Sequence, residues 1–443
     1  MKLTILGGGV AGAVAAGYAA SKGINDISLI EKDMSLGGLH RDIVIDDFHY
    51  DIGAFFFWPY HKLIHVFPGV KDLMVDIEPL YCLSLTEKGN LDLYPSTLKG
   101  YMKDWGITDL CLDVFGLVTN RIKMRLSGHK INSVDDEMKY YLGPFYQKTG
   151  LRKYIARLYG MSPSDVGLEF SQKRMSFIAE RFRTSEILNK LLTLKANRLN
   201  QWTTFPISYA RPTSGFSSMY SYIGEELKRQ NVNLCFGVQI KEILIDEKKI
   251  ITSDGKVYTY EHLLSSIPIT LLCKLSGIPL NIKLQHKSLY SLFYVSNSEI
   301  IPKCHVLYNF TERGLWKRIT FHSSYYGTEK NKHYFVVEAM PEERHLNDDG
   351  VSMLDQDFKD TFANTEFFGN IKKAELIGSH LTPNAYPIYT KDFDTGAIDE
   401  VKQFFSRKSI YLVGRQGEFD YLSSSDVAQS AINTINRLLN SAD

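Results

Sequence analysis

At 443 residues the chain is too long for one simple domain, and at about 150 residues per domain two or three are expected. Hydrophobic residues make up 44% and charged residues 23%, a globular balance that excludes a disordered, collagen-like or coiled-coil chain. Lys and Arg number 51 against 50 Asp and Glu, so no global field favours nucleic acid or an acidic membrane surface. The five cysteines (Cys82, Cys111, Cys235, Cys273, Cys304) are scattered, without the close pairs of zinc or redox motifs. They read as reduced thiols of a cytoplasmic protein.

In chain order, Lys2 to Leu6 predicts a short buried strand. Gly7, Gly9 and Gly12 follow as GxGxxG, and Ala13 to Ser21 continues as an Ala-rich helix. Ile27 to Ile30 predicts a second strand, closed by Glu31, 19 residues after Gly12. The uncharged run from Leu3 to Ala20 mimics a signal peptide, but its glycines make a poor apolar core for one. No other stretch reaches the roughly 18 apolar residues a transmembrane helix needs.

Strand, glycines, helix, strand and terminal acid form a dinucleotide-binding fingerprint. Gly7 permits the tight turn, Gly9 lets a pyrophosphate approach the backbone, and Gly12 lets helix and strand pack. The free N–H groups of the helix start meet the phosphate charge. Glu31 is placed to bond the ribose hydroxyls. Gly37 and Gly38 stand six and seven residues after that acid, and Asp51-Ile52-Gly53 follows a further strand.

Residues 95 to 200 predict mostly helix, Phe205 to Phe216 a loop, and Ser217 to Arg229 a helix. Asn233 to Ile243, Ile250 to Val257 and His262 to Pro268 predict strands, with Val238 an ordinary buried strand residue by its side chain. Residues 285 to 385 are strand-rich, in SLYSLFYVS, HVLYNFT, KRITFHSSYY and HYFVVEAM. Ser409 to Val413 predicts a last strand, with a Gly414-Arg415 corner and a helix from about Val427. Asp426 reads as that helix's N-cap, leaving N–H groups to face a cofactor.

The Glu31, Gly37-Gly38 and Asp51-Ile52-Gly53 series resembles the start of FAD enzymes of the glutathione-reductase-like group that includes amine oxidases. The C-terminal GRQGEFDY is more specifically similar to a segment of UDP-galactopyranose mutases, with six residues from Arg415 to Tyr421. AYPIYTKD, LYNFTERGLWKRITFHSSYY and YIARLYGMSPSDVGLEFSQKRM resemble further mutase segments. Three departures stand out: Gly53-Ala54-Phe55 where mutases carry Gly-Gly-His, Tyr389 in place of a second proline, and Ser425 in place of an Asn.

The resemblance implies an α/β architecture: a glutathione-reductase-like Rossmann FAD domain with a helical insertion and a substrate-side β-sheet. The FAD domain would comprise 1–90, 203–285 and 385–443, the insertion 91–202 and the substrate domain 286–384. It implies that Gly37 and Gly38 pass the flavin's diphosphate and ribityl, that Val238 touches adenine by its backbone, and that Gly414, Asp426 and Val427 make a second flavin contact. Arg174 and Arg318 would grip a nucleotide-sugar diphosphate, with Tyr386 and Tyr421 as phenolic donors and Arg415 close to the flavin.

The implied reaction interconverts pyranose and furanose sugars through an adduct at N5 of reduced FAD, with no net redox and NAD(P)H as reductant. Partners would be a nucleotide sugar, a UDP-sugar foremost, with no nucleic acid and no integral membrane segment; homo-oligomerisation stays open. No metal constellation is evident. The competing reading is an oxidase or desaturase of the amine-oxidase or protoporphyrinogen-oxidase type, favoured by the aromatic run from Phe55 to Trp58. A non-catalytic flavin-fold binding module is the third.

Overall fold

The computed structural model describes residues 1–175, 204–205, 207–299, 303–362, 371 and 373–440. Two sheets organise them. The first is five-stranded and wholly parallel, in the order Asn233–Cys235, Asp26–Ile30, Lys2–Leu6, His262–Ser265, Ile410–Leu412. Its strands are apolar runs because both faces are covered, as parallel sheets require. The Val10–Ser21 helix is buried nearly all round, and its alanines let the Ser424–Asn440 helix lie close against it. Tyr18 Oη donates to Asn436 Oδ1 at 2.9 Å across that contact. A three-stranded antiparallel sheet, Ile240–Leu244, Lys249–Thr252 and Val257–Thr259, follows the edge strand.

The second sheet is mixed and larger. Its order is Glu375–Ile388, Gln285–Ser296, His333–Ala339, Trp316–Thr320, Val306–Asn309, Leu80–Leu85, Leu91–Leu93, with Thr204–Phe205 paired to Leu80–Leu85. The strand-rich run predicted for 285 to 385 thus supplies most of it. The sheet reaches beyond those bounds, because Leu80–Leu85 pairs in parallel with Val306–Asn309 and draws residues before 90 into it. Between the sheets' chain segments lie the helices Leu98–Leu126, Val134–Leu142, Leu151–Tyr159 and Leu168–Arg174.

Three local expectations change. Asn233 to Ile243 is two strands split at Gly237, whose φ of 67° bends the chain. Ile250 to Val257 is a hairpin, because Asp254-Gly255 turns it with Gly255 at φ 82°. The last helix starts at Ser424 rather than near Val427, and Asp426 is not its N-cap. Ser423 takes that place: its Oγ accepts from Asp426 N at 3.2 Å, while the Asp426 carboxylate accepts from Ser423 N. This reciprocal pair is a capping box, with Asp426 at its third helical position.

Candidate active site

The amino-terminal turn separates the roles of its glycines. Gly7 sits at φ 94°, left-handed backbone that L side chains rarely adopt, and a Cβ there would lie 2.4 Å from Ser266 Oγ. A Cβ on Gly12 would lie 1.9 Å from the Gly7 carbonyl oxygen, so its absence lets helix meet strand. Gly9 differs: a Cβ would meet nothing nearer than the Gly38 Cα at 3.8 Å. Internal packing does not demand glycine there, which leaves room for an external group to approach the backbone. No side chain caps the Val10–Ser21 helix and no acid stands in its first turn, so its leading N–H groups are left for an anion.

The second glycine pair is threaded onto this turn. Gly37 N donates to Gly8 O at 2.9 Å, and a Cβ on Gly38 would lie 3.0 Å from Gly9 Cα. The buried Glu31 carboxylate accepts from Gly8 N and from Asp33 N (2.9 Å), which fixes it beside the turn with lone pairs to spare. Val238 is in the turn after the edge strand, not in a strand, and its N–H donates to Glu31 O at 3.0 Å. At the far end, Gly414 (φ 79°) brings the chain against Ala11, so the start of the last helix converges on the same place, and the buried Val427 packs on Gly414. Two helix starts, an open glycine and a fixed carboxylate fit a dinucleotide diphosphate and its ribose.

Beyond the turn lies an aromatic nest. His40 packs against Phe55 (ring centroids 5.1 Å apart) and Phe216 (5.2 Å), and its Nδ1 bonds Tyr220 Oη at 2.9 Å. Thus a histidine from another segment rests against Phe55, the position where the mutase pattern has His. Burial, then the charges of His61 and Arg415, lower His40 to about 3, so the ring is neutral in ordinary buffers. Burial also lowers His61 to about 4. His61 Nδ1 accepts from Leu63 N, so Nε2 carries the proton and donates to Ser424 Oγ at 2.9 Å.

A third group lies on the large sheet. Trp316–Thr320 pairs with His333–Ala339 through a bulge between Trp316 and Arg318. Strict alternation would send Lys317 and Arg318 to opposite faces. The bulge re-aims one, and both reach Glu338: Lys317 Nζ at 2.8 Å from Oε2, and Arg318 Nε bonded to Oε1. Glu338 is wholly buried, Lys317 and Arg318 nearly so. Burial alone would raise the Glu338 carboxyl, but Arg318 and Lys317 together hold it below its usual range. Burial lowers Lys317 to about 8, with Glu338 opposing. Two cations share one carboxylate, so the cluster keeps a net positive charge. It abuts the Gly53 loop: Ala54 N donates to Glu338 Oε1 at 3.1 Å.

Tyr386 and Tyr421 cover this cluster as a stacked pair, 5.5 Å apart and 11° from parallel. Lys317 Nζ donates to Tyr386 Oη at 2.5 Å. Arg415 lies over both rings, at 5.8 and 5.6 Å, and its Nε donates to Leu422 O at 3.0 Å, which makes it a corner brace as well as a neighbouring charge. Tyr389 earns its place structurally: its Oη donates to Phe419 O (3.1 Å) and accepts from Tyr421 N (2.9 Å), holding the turn with Phe419 at φ 50°. Arg174 ends the Leu168–Arg174 helix, whose Phe170 ring is 6.0 Å from Tyr421; its side chain lies outside the described residues.

The sequence reading missed Lys317, Glu338, His40 and a wholly buried Asp51–Arg211 ion pair. Arg211 Nε reaches Asp51 Oδ1 at 2.5 Å, and its other nitrogens donate to His49 O and Pro212 O. The pair ties the loop returning from 205 to the Asp51-Ile52-Gly53 segment. An Asp and an Arg in two motif-bearing loops were the available signal; their pairing was not.

Residues 5–73 match the family model of an NAD(P)-binding Rossmann-like domain. Comparison with curated protein sequences returns no match. Among solved structures, reduced UDP-galactopyranose mutase superposes with a TM-score of 0.78 at 17% identity, covering 99% of this chain and 94% of that one. A putative protoporphyrinogen oxidase from Exiguobacterium sp. 255-15 gives 0.70 at 14% identity, covering 99% and 98%. Putrescine oxidase bound to putrescine gives 0.62 at 10%, covering 99% of both. The chain has the amine-oxidase-like fold. In this fold the open Gly9 turn, the His40 nest and the Lys317–Arg318–Glu338 cluster follow one another from the parallel sheet to the mixed one. Among the described residues no helix is long and apolar enough to cross a membrane.

Proposed function

We propose that the chain is an FAD-dependent nucleotide-sugar mutase, interconverting pyranose and furanose forms of a UDP-sugar without net redox. The observation that carries this reading is the net-positive Lys317–Arg318–Glu338 cluster under the stacked Tyr386 and Tyr421 rings. An amine or an apolar carbon substrate gains nothing from two buried cations, whereas a diphosphate gains charge-assisted hydrogen bonds from both.

Gly9 and the first helix turn would hold the FAD diphosphate, Glu31 its ribose, and the backbone near Val238 its adenine. Gly37, Gly38, Gly414 and the Ser423–Asp426 cap would line its path. Bound FAD in its reduced form, with NAD(P)H as the external reductant, supplies the covalent chemistry at the anomeric carbon. The chain's own residues orient and neutralise. Arg318 and Lys317 hold the substrate diphosphate and stabilise its charge as the glycosidic bond opens, with Arg174 as the third cation. Tyr386 and Tyr421 donate phenolic hydrogen bonds to phosphate oxygens. His40, neutral, brings no charge to the aromatic nest.

The second reading, an oxidase or desaturase, draws support from the packed rings of Phe55, Phe57 and Phe216 around His40. One experiment separates them: dithionite-reduced protein supplemented with FAD is incubated with UDP-galactose and other nucleotide sugars, and the products are resolved by chromatography. A new furanose-sugar peak is expected. No binding and no rearrangement of any nucleotide sugar, together with peroxide release from an amine or carbon substrate, would overturn the mutase reading.

A further inference from the structure

Between the aromatic nest and the cation cluster runs the segment from Asp51 to Ala54, and its backbone is held by side chains of the mixed-sheet region. Asp51 N donates to His322 Nε2 at 3.1 Å, Ser291 Oγ donates to Ile52 O at 2.7 Å, and Ala54 N donates to Glu338 Oε1 at 3.1 Å. A Cβ on Gly53 would lie 3.9 Å from Arg318 Nη2. Ser291 and Glu338 stand on the Gln285–Ser296 and His333–Ala339 strands, and His322 stands two residues past Trp316–Thr320. All three are wholly buried. Most backbone groups bond to other backbone groups. Three side-chain bonds in four residues therefore fix an irregular path that strand pairing does not.

Of the three, His322 carries a cost. Its ring lies parallel to Tyr334 (centroids 5.5 Å apart, 6° between planes) and nearly so to Tyr326 (6.2 Å, 21°). Burial holds the imidazole below its ordinary range, with Asp51 opposing, so it is neutral. Because Nε2 accepts from Asp51 N, the ring proton sits on Nδ1, and that buried N–H finds no partner among the described residues. The Asp51 carboxylate lies farther from Nε2, at 3.5 Å, and is paired with Arg211. A phenyl ring would fill the same stack and orphan no donor of its own. What the imidazole adds is the Nε2 lone pair. We propose that His322 is a positioning residue for the flavin: through Nε2 it fixes the Asp51–Ala54 path that sets Phe55 against His40 at one end and Ala54 against Glu338 at the other. The inference rests on the FAD reading of the site and on no particular substrate.

The test uses the full chain supplemented with FAD. His322→Gln keeps an acceptor near the place of Nε2 and loses the ring, whereas His322→Phe keeps a ring and loses the acceptor. Fluorescence titration reads FAD affinity, the visible circular dichroism of the bound flavin reads its placement, and urea curves read stability. His322→Gln should bind FAD as the parent does, with the parent's flavin spectrum. His322→Phe should bind about tenfold more weakly and with an altered spectrum, because the buried Asp51 N–H loses its partner. Ser291→Ala removes one hydroxyl from a strand interior and should weaken FAD in the same direction; it decides the matter if the His322 variants do not fold. The reverse order, with Phe retaining affinity and Gln losing it, makes His322 a packing ring and overturns the proposal. So does equal loss in both, or parental FAD affinity in both His322→Phe and Ser291→Ala, whatever stability they lose. A parent chain that takes up no FAD overturns the cofactor reading and this inference with it; parental uptake with indifferent variants overturns this inference alone.

Discussion

Replacing Gly9 and Gly12 separately by alanine distinguishes a cofactor turn from a structural one. At Gly12 the new methyl would lie 1.9 Å from the Gly7 oxygen, a backbone atom that cannot swing aside as a side chain could, with Ile5 Cγ2 at 3.3 Å. Relief needs the helix to move off its strand by more than an ångström, and overpacking of this kind costs about 1–3 kcal/mol or more. At Gly9 the backbone is extended (φ −69°, ψ −171°), and the methyl meets nothing within 3.7 Å. The lost flexibility of the unfolded chain, worth about 0.4–1 kcal/mol, offsets the weaker alanine cap. Gly9→Ala apoprotein should therefore unfold in urea within about 1 kcal/mol of the parent. Its methyl instead enters the space a diphosphate would use. FAD affinity should fall by about 1–3 kcal/mol, or roughly five- to 150-fold. Flavin retention after gel filtration and a fluorescence titration read the affinity; urea curves read the stability. Unchanged FAD affinity in Gly9→Ala, or an unperturbed Gly12→Ala, would refute the division of roles.

Three further outcomes follow from the site. Arg318→Ala should weaken UDP binding in calorimetry by about 2–5 kcal/mol, since a buried charge pair loses a partner; a change under twofold counts against the phosphate role. UDP affinity should be level below about pH 7 and decline as Lys317 loses its proton near pH 8, and Lys317→Met should abolish that decline. The stability linkage has the opposite sense: the folded lysine releases its proton before the unfolded one, so Lys317 costs less stability as pH rises above 8. His40 and His61, lowered to about 3 and 4, take up protons on unfolding, so each costs stability as pH drops below the model-peptide value near 6.5, at about 1.4 kcal/mol per unit. Urea curves from pH 7 to 4.5 should show this loss, and His61→Asn should make it shallower.

What was legible in the sequence is what backbone geometry forces. Only glycine satisfies φ 94° at position 7 and the helix–strand contact at 12, so those letters had one good meaning. Glu31 is bound to them by strand length. Lys317 was not legible, because alternation assigns neighbours to opposite faces and nothing in KRITF announces a bulge. Glu338 within HYFVVEAM reads as a strand residue until its two cations are seen. Arg211 and Asp51 are 160 residues apart, and a single sequence carries no sign that they pair. The helix from 107 to 126 has proper amphipathic spacing, and spacing alone does not say which side faces inward.

The order of the parallel sheet also bears on how the protein is made. Its central strand Lys2–Leu6 leaves the ribosome long before the edge strand Ile410–Leu412 and the helix that covers Val10–Ser21. Until those later residues emerge, the Ala-rich Val10–Ser21 helix waits with one flank bare, and pairing across so long a loop is intrinsically slow. Loss of residues 410–440, by a premature stop or a protease, would therefore uncover the Val10–Ser21 helix and the sheet beneath it rather than trim a remote element.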